Sequence, residues 1–152
     1  MNKQIKLFFI LFVTSLSLGF ISCSDDDDAD TEDYAKAIAG TYKGDVSFLG
    51  QAIPNAEIEL TRIAENKVQL KMDQNLLIQV VKVETTSDVT LQNGKYTINA
   101  TATHPMEGFS LPIGIKGTVD KNNKMNLTIV VGQGITDIPP FPVDVEFDGE
   151  RQ

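Results

Sequence analysis

The chain has little of the chemistry on which most enzymes and metal sites depend. Its 152 residues include one cysteine, one histidine and no tryptophan. A single cysteine excludes a disulfide within the chain and a pair of thiols for metal or redox chemistry. The one histidine, His104, precedes Pro105 in a predicted loop, and nothing around it places a Ser-His-Asp arrangement. We therefore predict no catalytic residues, no metal site, no cofactor and no enzymatic activity.

Basic side chains are also scarce, with 13 Lys and Arg against 21 Asp and Glu. Lys3 and Lys6 stand close to the N-terminus, and a large share of the acids lies between residues 25 and 33. The chain that follows is close to neutral. Because nucleic-acid binding needs a clustered basic face, we predict that nucleic acid is not a partner.

The N-terminal segment has the order of a secretory signal peptide. The two lysines are followed by an uninterrupted apolar run at residues 7–13 and then by smaller, partly polar residues. This run is shorter than the ~20 residues that a membrane-spanning helix needs. Phe20-Ile-Ser-Cys23 resembles a bacterial lipobox, with Ser22 as the small residue before the cut. The resemblance implies that residues 1–22 are removed and that Cys23 carries an acyl lipid such as palmitate.

An acidic run directly follows the cysteine. Its members are Ser24, Asp25, Asp26, Asp27 and Asp28. A calcium loop needs a glycine at its sixth position and an acid at its twelfth, whereas a loop starting at Asp26 would have Thr31 and Ala37 there. The run instead resembles the signal that sends lipoproteins of some two-membrane bacteria to the cell exterior. We therefore predict that residues 23–33 are a lipidated acidic tether, and that the lipid holds the protein in the outer membrane, facing outward.

The chain from residue 34 onward has the pattern of successive strands. Apolar and polar residues alternate with a period of two, which is typical of strands with one buried face. The clearest segments are residues 68–73, 125–129 and 143–147, and the less regular ones are residues 78–84 and 88–91. Asn93-Gly94 is a hairpin signal, and a short helix is predicted at residues 33–39 with Asp33 as its N-cap. The pattern favours one all-β domain, residues 34–152, closed as an up-and-down antiparallel barrel of about eight strands, with a two-sheet β-sandwich as the alternative.

The organisation of the chain resembles that of the calycin-like barrel lipoproteins, which are relatives in shape of the lipocalins. The lipobox, the acidic run and the short helix are followed by Gly40-Thr-Tyr-Lys-Gly44, which opens the meander, and residues 143–149 close it. Tyr42 stands near the position where lipocalins usually have a tryptophan. The resemblance implies a lipid-anchored barrel and brings no catalytic residues with it.

Two segments of the second half stand out as apolar connections. Residues 103–110 and 132–142 are predicted as the longest loops there, and two strands lie between them, so they emerge at the same end of a meander. Their apolar side chains are Met106, Phe109, Ile135, Ile138 and Phe141. These residues are interpreted either as a hydrophobic plug in the end of the barrel or as a ligand-binding or partner-binding surface.

Two classes of function follow from these alternatives. In the first, the barrel is a binding module for a small apolar ligand, or for a protein or glycan at the cell surface. In the second, it is a non-catalytic accessory subunit of an outer-membrane assembly, with an interior filled by side chains. An eight-stranded barrel accommodates either a small ligand or its own side chains, so the sequence leaves both classes open.

Overall fold

The computed structural model describes residues 32–76 and 79–152. The predicted signal peptide, Cys23 and the acidic run at residues 24–28 lie outside these described residues. A short helix, α1 (Tyr34–Ile38), is followed by eight strands. The strands are β1 (Gly40–Phe48), β2 (Gln51–Ala64), β3 (Lys67–Leu76), β4 (Gln79–Gln92), β5 (Lys95–Met106), β6 (Phe109–Val119), β7 (Lys124–Val131) and β8 (Val143–Arg151).

Each strand pairs antiparallel with the next along the chain, and β1 pairs with β8 to close the barrel. The closing register runs from Tyr42 opposite Arg151 to Phe48 opposite Val145. The predicted all-β, up-and-down barrel of eight strands is therefore confirmed, and the sandwich alternative is wrong. Residues 78–84 and 88–91 were predicted as separate strands, but residues 79–84 and 88–91 both belong to β4, because the residues between them stay paired with β3.

The connections between strands fall at two ends of the barrel, because successive strands run in opposite directions. The helix end holds the β2–β3, β4–β5 and β6–β7 connections. Helix α1 also lies there, since the Tyr34 N–H donates to Asn66 Oδ1 in the β2–β3 connection, at 2.9 Å. The loop end holds the β1–β2, β5–β6 and β7–β8 connections.

The inner faces of the strands form one apolar core. Along β8, for example, Val143, Val145 and Phe147 are buried while the residues between them are exposed. The largest fully buried side chains are Tyr42, Phe147, Ile38, Ile58, Leu60, Leu70, Ile98, Ile113, Ile115, Met125, Ile129 and Val46. Burying one aliphatic or aromatic side chain contributes about 1.5–3 kcal/mol relative to leaving it exposed. This core explains how the barrel is held together without a disulfide.

Two inward-facing glycines of the barrel, Gly44 and Gly117, have no empty space beside them. The Leu127 side chain occupies the space that a Cβ on Gly117 would need. Gly44 lies opposite Gly149, and a Cβ on Gly44 would meet the backbone of β8. At these positions the neighbouring strand or side chain fills the interior, which favours close packing over a cavity.

Helix α1 closes the helix end of the barrel. Ala35 and Ile38 are fully buried against the core, and Asp33 caps the helix as predicted, with its Oδ1 accepting the Lys36 N–H at 3.0 Å. Arg62 Nε donates to Asp33 Oδ2 at 2.7 Å. The hydrogen bond from the Lys36 N–H, assisted by Arg62, lowers the pKa of Asp33 below its ordinary value.

Two residues of the barrel, Tyr42 and Arg151, donate hydrogen bonds to backbone carbonyls at the C-terminal end of this helix. The buried Tyr42 O–H donates to the Ile38 carbonyl at 2.8 Å, and Arg151 Nη1 donates to the carbonyls of Ala37 and Ala39 at 2.9 and 3.3 Å. Burial raises the pKa of Tyr42 to about 12, although the positive charge of Arg151 acts in the opposite direction. The helix end is therefore sealed by both apolar packing and hydrogen bonds.

Candidate binding surface at the loop end

The first predicted apolar loop, residues 103–110, is for the most part a β-hairpin. Strand β5 continues to Met106 and β6 begins at Phe109, so only Glu107 and Gly108 form the turn. The prediction of a long loop here is therefore wrong. Its expected position is confirmed, because this hairpin turn and the β7–β8 connection both lie at the loop end.

Two prolines made this hairpin difficult to predict. In an antiparallel strand the N–H and C=O of one residue point toward the same neighbouring strand. The Pro112 carbonyl accepts from Gly132 and Gln133, at 2.8 and 3.2 Å, beyond the last pair of β6 with β7. Pro105 is an even number of residues from Thr101, so its backbone points to the same side of β5. The Thr101 carbonyl accepts from the side chain of Thr85 in β4, so that side faces β4. The pairing of β4 with β5 ends at Asn99, well before Pro105. Both prolines therefore lack an N–H where no strand ladder needs one.

The tip of the β5–β6 hairpin carries two of the predicted site residues. Met106 and Phe109 lie directly opposite each other, and the next pair on the same inward-facing side is His104 with Leu111. Met106 is half-buried and packs against the core, whereas Phe109 is 49% exposed. The apolar pair thus extends from the mouth of the barrel into solvent.

The β7–β8 loop, residues 132–142, divides the other three predicted residues into two groups. Ile135 and Phe141 are half-buried and pack against the core. The Phe141 ring lies over Gly132, where its Cδ1 would be 2.6 Å from a Cβ on that glycine. Ile138 is instead 56% exposed. Within one loop, two apolar residues act as a plug and the third faces solvent.

Leu49 in the β1–β2 connection is an exposed residue of this end that the sequence analysis missed. It is 62% exposed and has a φ of 48°, in the left-handed region that a bulky side chain rarely adopts. Asparagine, which tolerates this conformation, occupies the left-handed positions of the three helix-end connections, at residues 66, 93 and 123. The signal in the sequence was the Leu49-Gly50 pair, where a turn would normally have Asn-Gly.

Three exposed apolar residues lie at the loop end, and we refer to them together as the loop-end patch: Leu49, Phe109 and Ile138. The β7–β8 loop that carries Ile138 lies between the other two connections around the barrel, because β8 pairs with β1 and β7 pairs with β6. The patch therefore spans three neighbouring connections at one end of the barrel. Their exposure makes the loop end the candidate interaction surface.

His104 differs from its prediction. It lies in β5 rather than in a loop and is half-buried, and its Nδ1 atom is buried with no hydrogen-bond partner among the described residues. Within residues 32–76 and 79–152, no group of three or more His, Cys, Asp or Glu is placed to hold a metal ion. No helix of those same two segments is long and apolar enough to cross a membrane.

The fold defines the class of this protein as a closed, eight-stranded antiparallel β-barrel, which is compatible with a calycin-like fold. No family model, curated protein or solved structure matches the chain.

Proposed function

We propose that this protein is a lipid-anchored outer-membrane protein that acts as a recognition module, with the loop-end patch as its binding surface. The observation that carries the proposal is the exposure of Leu49, Phe109 and Ile138 on neighbouring connections at the loop end of the barrel. Leu49 also has a left-handed backbone conformation, which is unfavourable for leucine. Strained backbone of this kind is found more often at functional sites than in ordinary turns.

The packing of the interior favours a partner on the surface over a ligand inside the barrel. Helix α1 seals one end, and Met106, Ile135 and Phe141 cover part of the other. A small apolar ligand inside would have to displace these side chains. A protein surface can instead contact the patch directly, and its apolar groups suit such exposed side chains better than the hydroxyls of a glycan do.

The point at which the chain enters the described domain supports the same interpretation. The described domain begins at Asp33, which lies at the helix end through its ion pair with Arg62 in β2. A lipid on Cys23 would therefore be joined to the domain at the end opposite the loop-end patch. Such an attachment leaves the patch free to meet a partner on the outside of the cell.

The second candidate is a non-catalytic accessory subunit of an outer-membrane assembly. The closely packed interior also supports this role, because a subunit of this kind needs no ligand cavity. The two candidates differ in the lifetime of the contact: an accessory subunit would stay in one assembly after mild detergent extraction, whereas a recognition module would be recovered alone.

Photo-crosslinking in intact cells tests the proposal. A photoreactive residue replaces Ile138 in one variant, and Ile63 in the control variant. Ile63 is 47% exposed but lies near the helix end of β2. We expect a discrete crosslinked product from position 138 that is lost when Phe109→Ser is added, and none from position 63. Equal crosslinking from both positions, or none from 138, would refute the loop end as the binding surface.

A further inference from the structure

Acidic side chains accompany the loop-end patch. Glu107 lies two residues before Phe109, Asp137 directly precedes Ile138, and Asp144 follows the β7–β8 loop. All three acids are exposed, and none of them forms an ion pair with a Lys or Arg of the described chain. Several acids elsewhere on the barrel do have such partners, as in the Asp73–Lys82 pair at 3.2 Å. The patch thus has apolar residues with uncompensated negative charge beside them.

The negative charge continues along the outer face of β8 and β1. Asp144, Glu146 and Asp148 share one face of β8, and Asp45 of β1 lies directly opposite Asp148. We call these four residues the acidic strip. Three of them line a groove of about 570 Å³ whose described lining contains no Lys or Arg. Asp45 and Asp148 are like charges directly opposite each other, an arrangement that destabilises a sheet, and the positive charge of Lys124 near Asp148 offsets part of this effect.

We propose that the loop end binds a cationic amphipathic segment of another protein. Apolar side chains of the segment contact the loop-end patch, while its Lys or Arg side chains pair with Glu107, Asp137 and the acidic strip. This inference rests on the proposed function and names the chemistry of the partner. Its physical basis is charge complementarity: these acids attract a basic partner and repel an acidic one.

The same charges argue against two other occupants. The anionic headgroups of a membrane surface would be repelled by the acids at the loop end. A divalent cation would need several carboxylates converging on one point, and no such group is present among residues 32–76 and 79–152. A second copy of this chain remains an outcome that the experiment distinguishes.

The experiment measures the binding of synthetic peptides to the purified full chain in nanodiscs of phosphatidylcholine. One peptide of about twelve residues alternates leucine and lysine; in the second, glutamate replaces the lysine, and in the third, serine replaces the leucine. We expect the Leu-Lys peptide to bind more tightly than either of the others, and its affinity to fall as salt is added. All protein variants share the same lipid, so differences between variants report on the protein.

Two matched pairs of variants locate the interaction. Asp137→Lys is compared with Glu65→Lys, an exposed acid in the β2–β3 connection at the helix end, and Ile138→Ser is compared with Ile63→Ser. We expect Asp137→Lys and Ile138→Ser each to weaken binding of the Leu-Lys peptide about tenfold or more, and both control variants to bind as the unchanged chain does.

The outcomes separate this inference from the proposed function. If Asp137→Lys behaves like Glu65→Lys while Ile138→Ser still abolishes binding, the cationic partner is wrong and the binding surface stands. If Ile138→Ser behaves like Ile63→Ser, both proposals fail. Absence of Leu-Lys binding overturns the inference. Self-association of the chain that Asp137→Lys abolishes, without peptide binding, would assign the surface to a second copy.

Discussion

The β7–β8 loop offers a quantitative test of the plug formed by Phe141. Gly132 and Gly134 both have positive φ, of 77° and 84°, but their surroundings differ. Three atoms of Phe141 lie 2.6–2.9 Å from the position of a Cβ on Gly132, whereas nothing lies within 4 Å of that position on Gly134. Replacing each glycine by alanine therefore imposes similar backbone strain, and only the change at Gly132 also displaces the aromatic ring.

The expected magnitudes follow from these two contributions. A left-handed residue other than glycine costs roughly 1–2 kcal/mol, so Gly134→Ala should lower the free energy of unfolding by about that amount. Truncation of a buried phenylalanine to alanine costs about 3–5 kcal/mol, and for the half-buried Phe141 we expect about 2 kcal/mol. Gly132→Ala should therefore cost about 3–4 kcal/mol, the sum of strain and the displaced ring.

A double-mutant cycle isolates the contribution of the ring. Once Phe141→Ala has removed it, Gly132→Ala should cost only the backbone strain, which leaves a coupling free energy of about 2 kcal/mol between the two sites. Equilibrium urea unfolding of the purified chain, followed by circular dichroism, gives all four values. If Gly132→Ala costs no more than Gly134→Ala, then Phe141 is not held over the barrel, and the plug interpretation is wrong.

Four further predictions concern the anchor, the helix end and the patch. Cys23→Ala should abolish incorporation of labelled fatty acid and release the protein from membranes; labelling of the variant would contradict lipidation. Replacing Asp25, Asp26, Asp27 and Asp28 by alanine should preserve lipidation but prevent export to the cell surface, so protease added to whole cells should no longer digest the domain. Unchanged digestion would show that the acidic run is only a spacer. The pKa of Tyr42 is raised from 10.0 to about 12, so the neutral phenol should contribute fully to stability below pH 10. This contribution should decline as the pH rises to about 12. Tyr42→Phe should remove the decline when the free energy of unfolding is measured against pH. Leu49→Asn should raise the free energy of unfolding by about 1 kcal/mol by relieving left-handed strain, yet weaken partner binding; a loss of stability would show that Leu49 belongs to the core.

The strands were predictable where one face of the sheet is buried and the other is solvated. Residues 125–129 and 143–147 alternate strictly, and their apolar positions are the buried ones in β7 and β8. Asn93-Gly94 was predictable for a different reason: both residues have positive φ, as the tight hairpin requires. Local pattern and turn chemistry therefore account for most of the barrel.

The candidate surface was less predictable, because it depends on which side chains the closed barrel covers. Phe141 and Ile138 have similar hydrophobicity in the same loop, yet only Phe141 finds a glycine beneath it to pack against. Leu49 directly follows Phe48, the last residue of β1. Its exposure arises from the turn that begins there, at a positive φ that the residue type does not indicate.

The pairing of β1 with β8 has a consequence for the order of folding. The first strand cannot find its second neighbour until Val143–Arg151 is available. Because this pairing joins the two most distant strands of the chain, we expect closure of the barrel to be the last long-range step of folding. A chain shortened before Val143 would leave the open edges of β1 and β7 exposed, each able to pair with another chain. The native barrel has no such edge, and we expect its resistance to aggregation to depend on the final nine-residue strand.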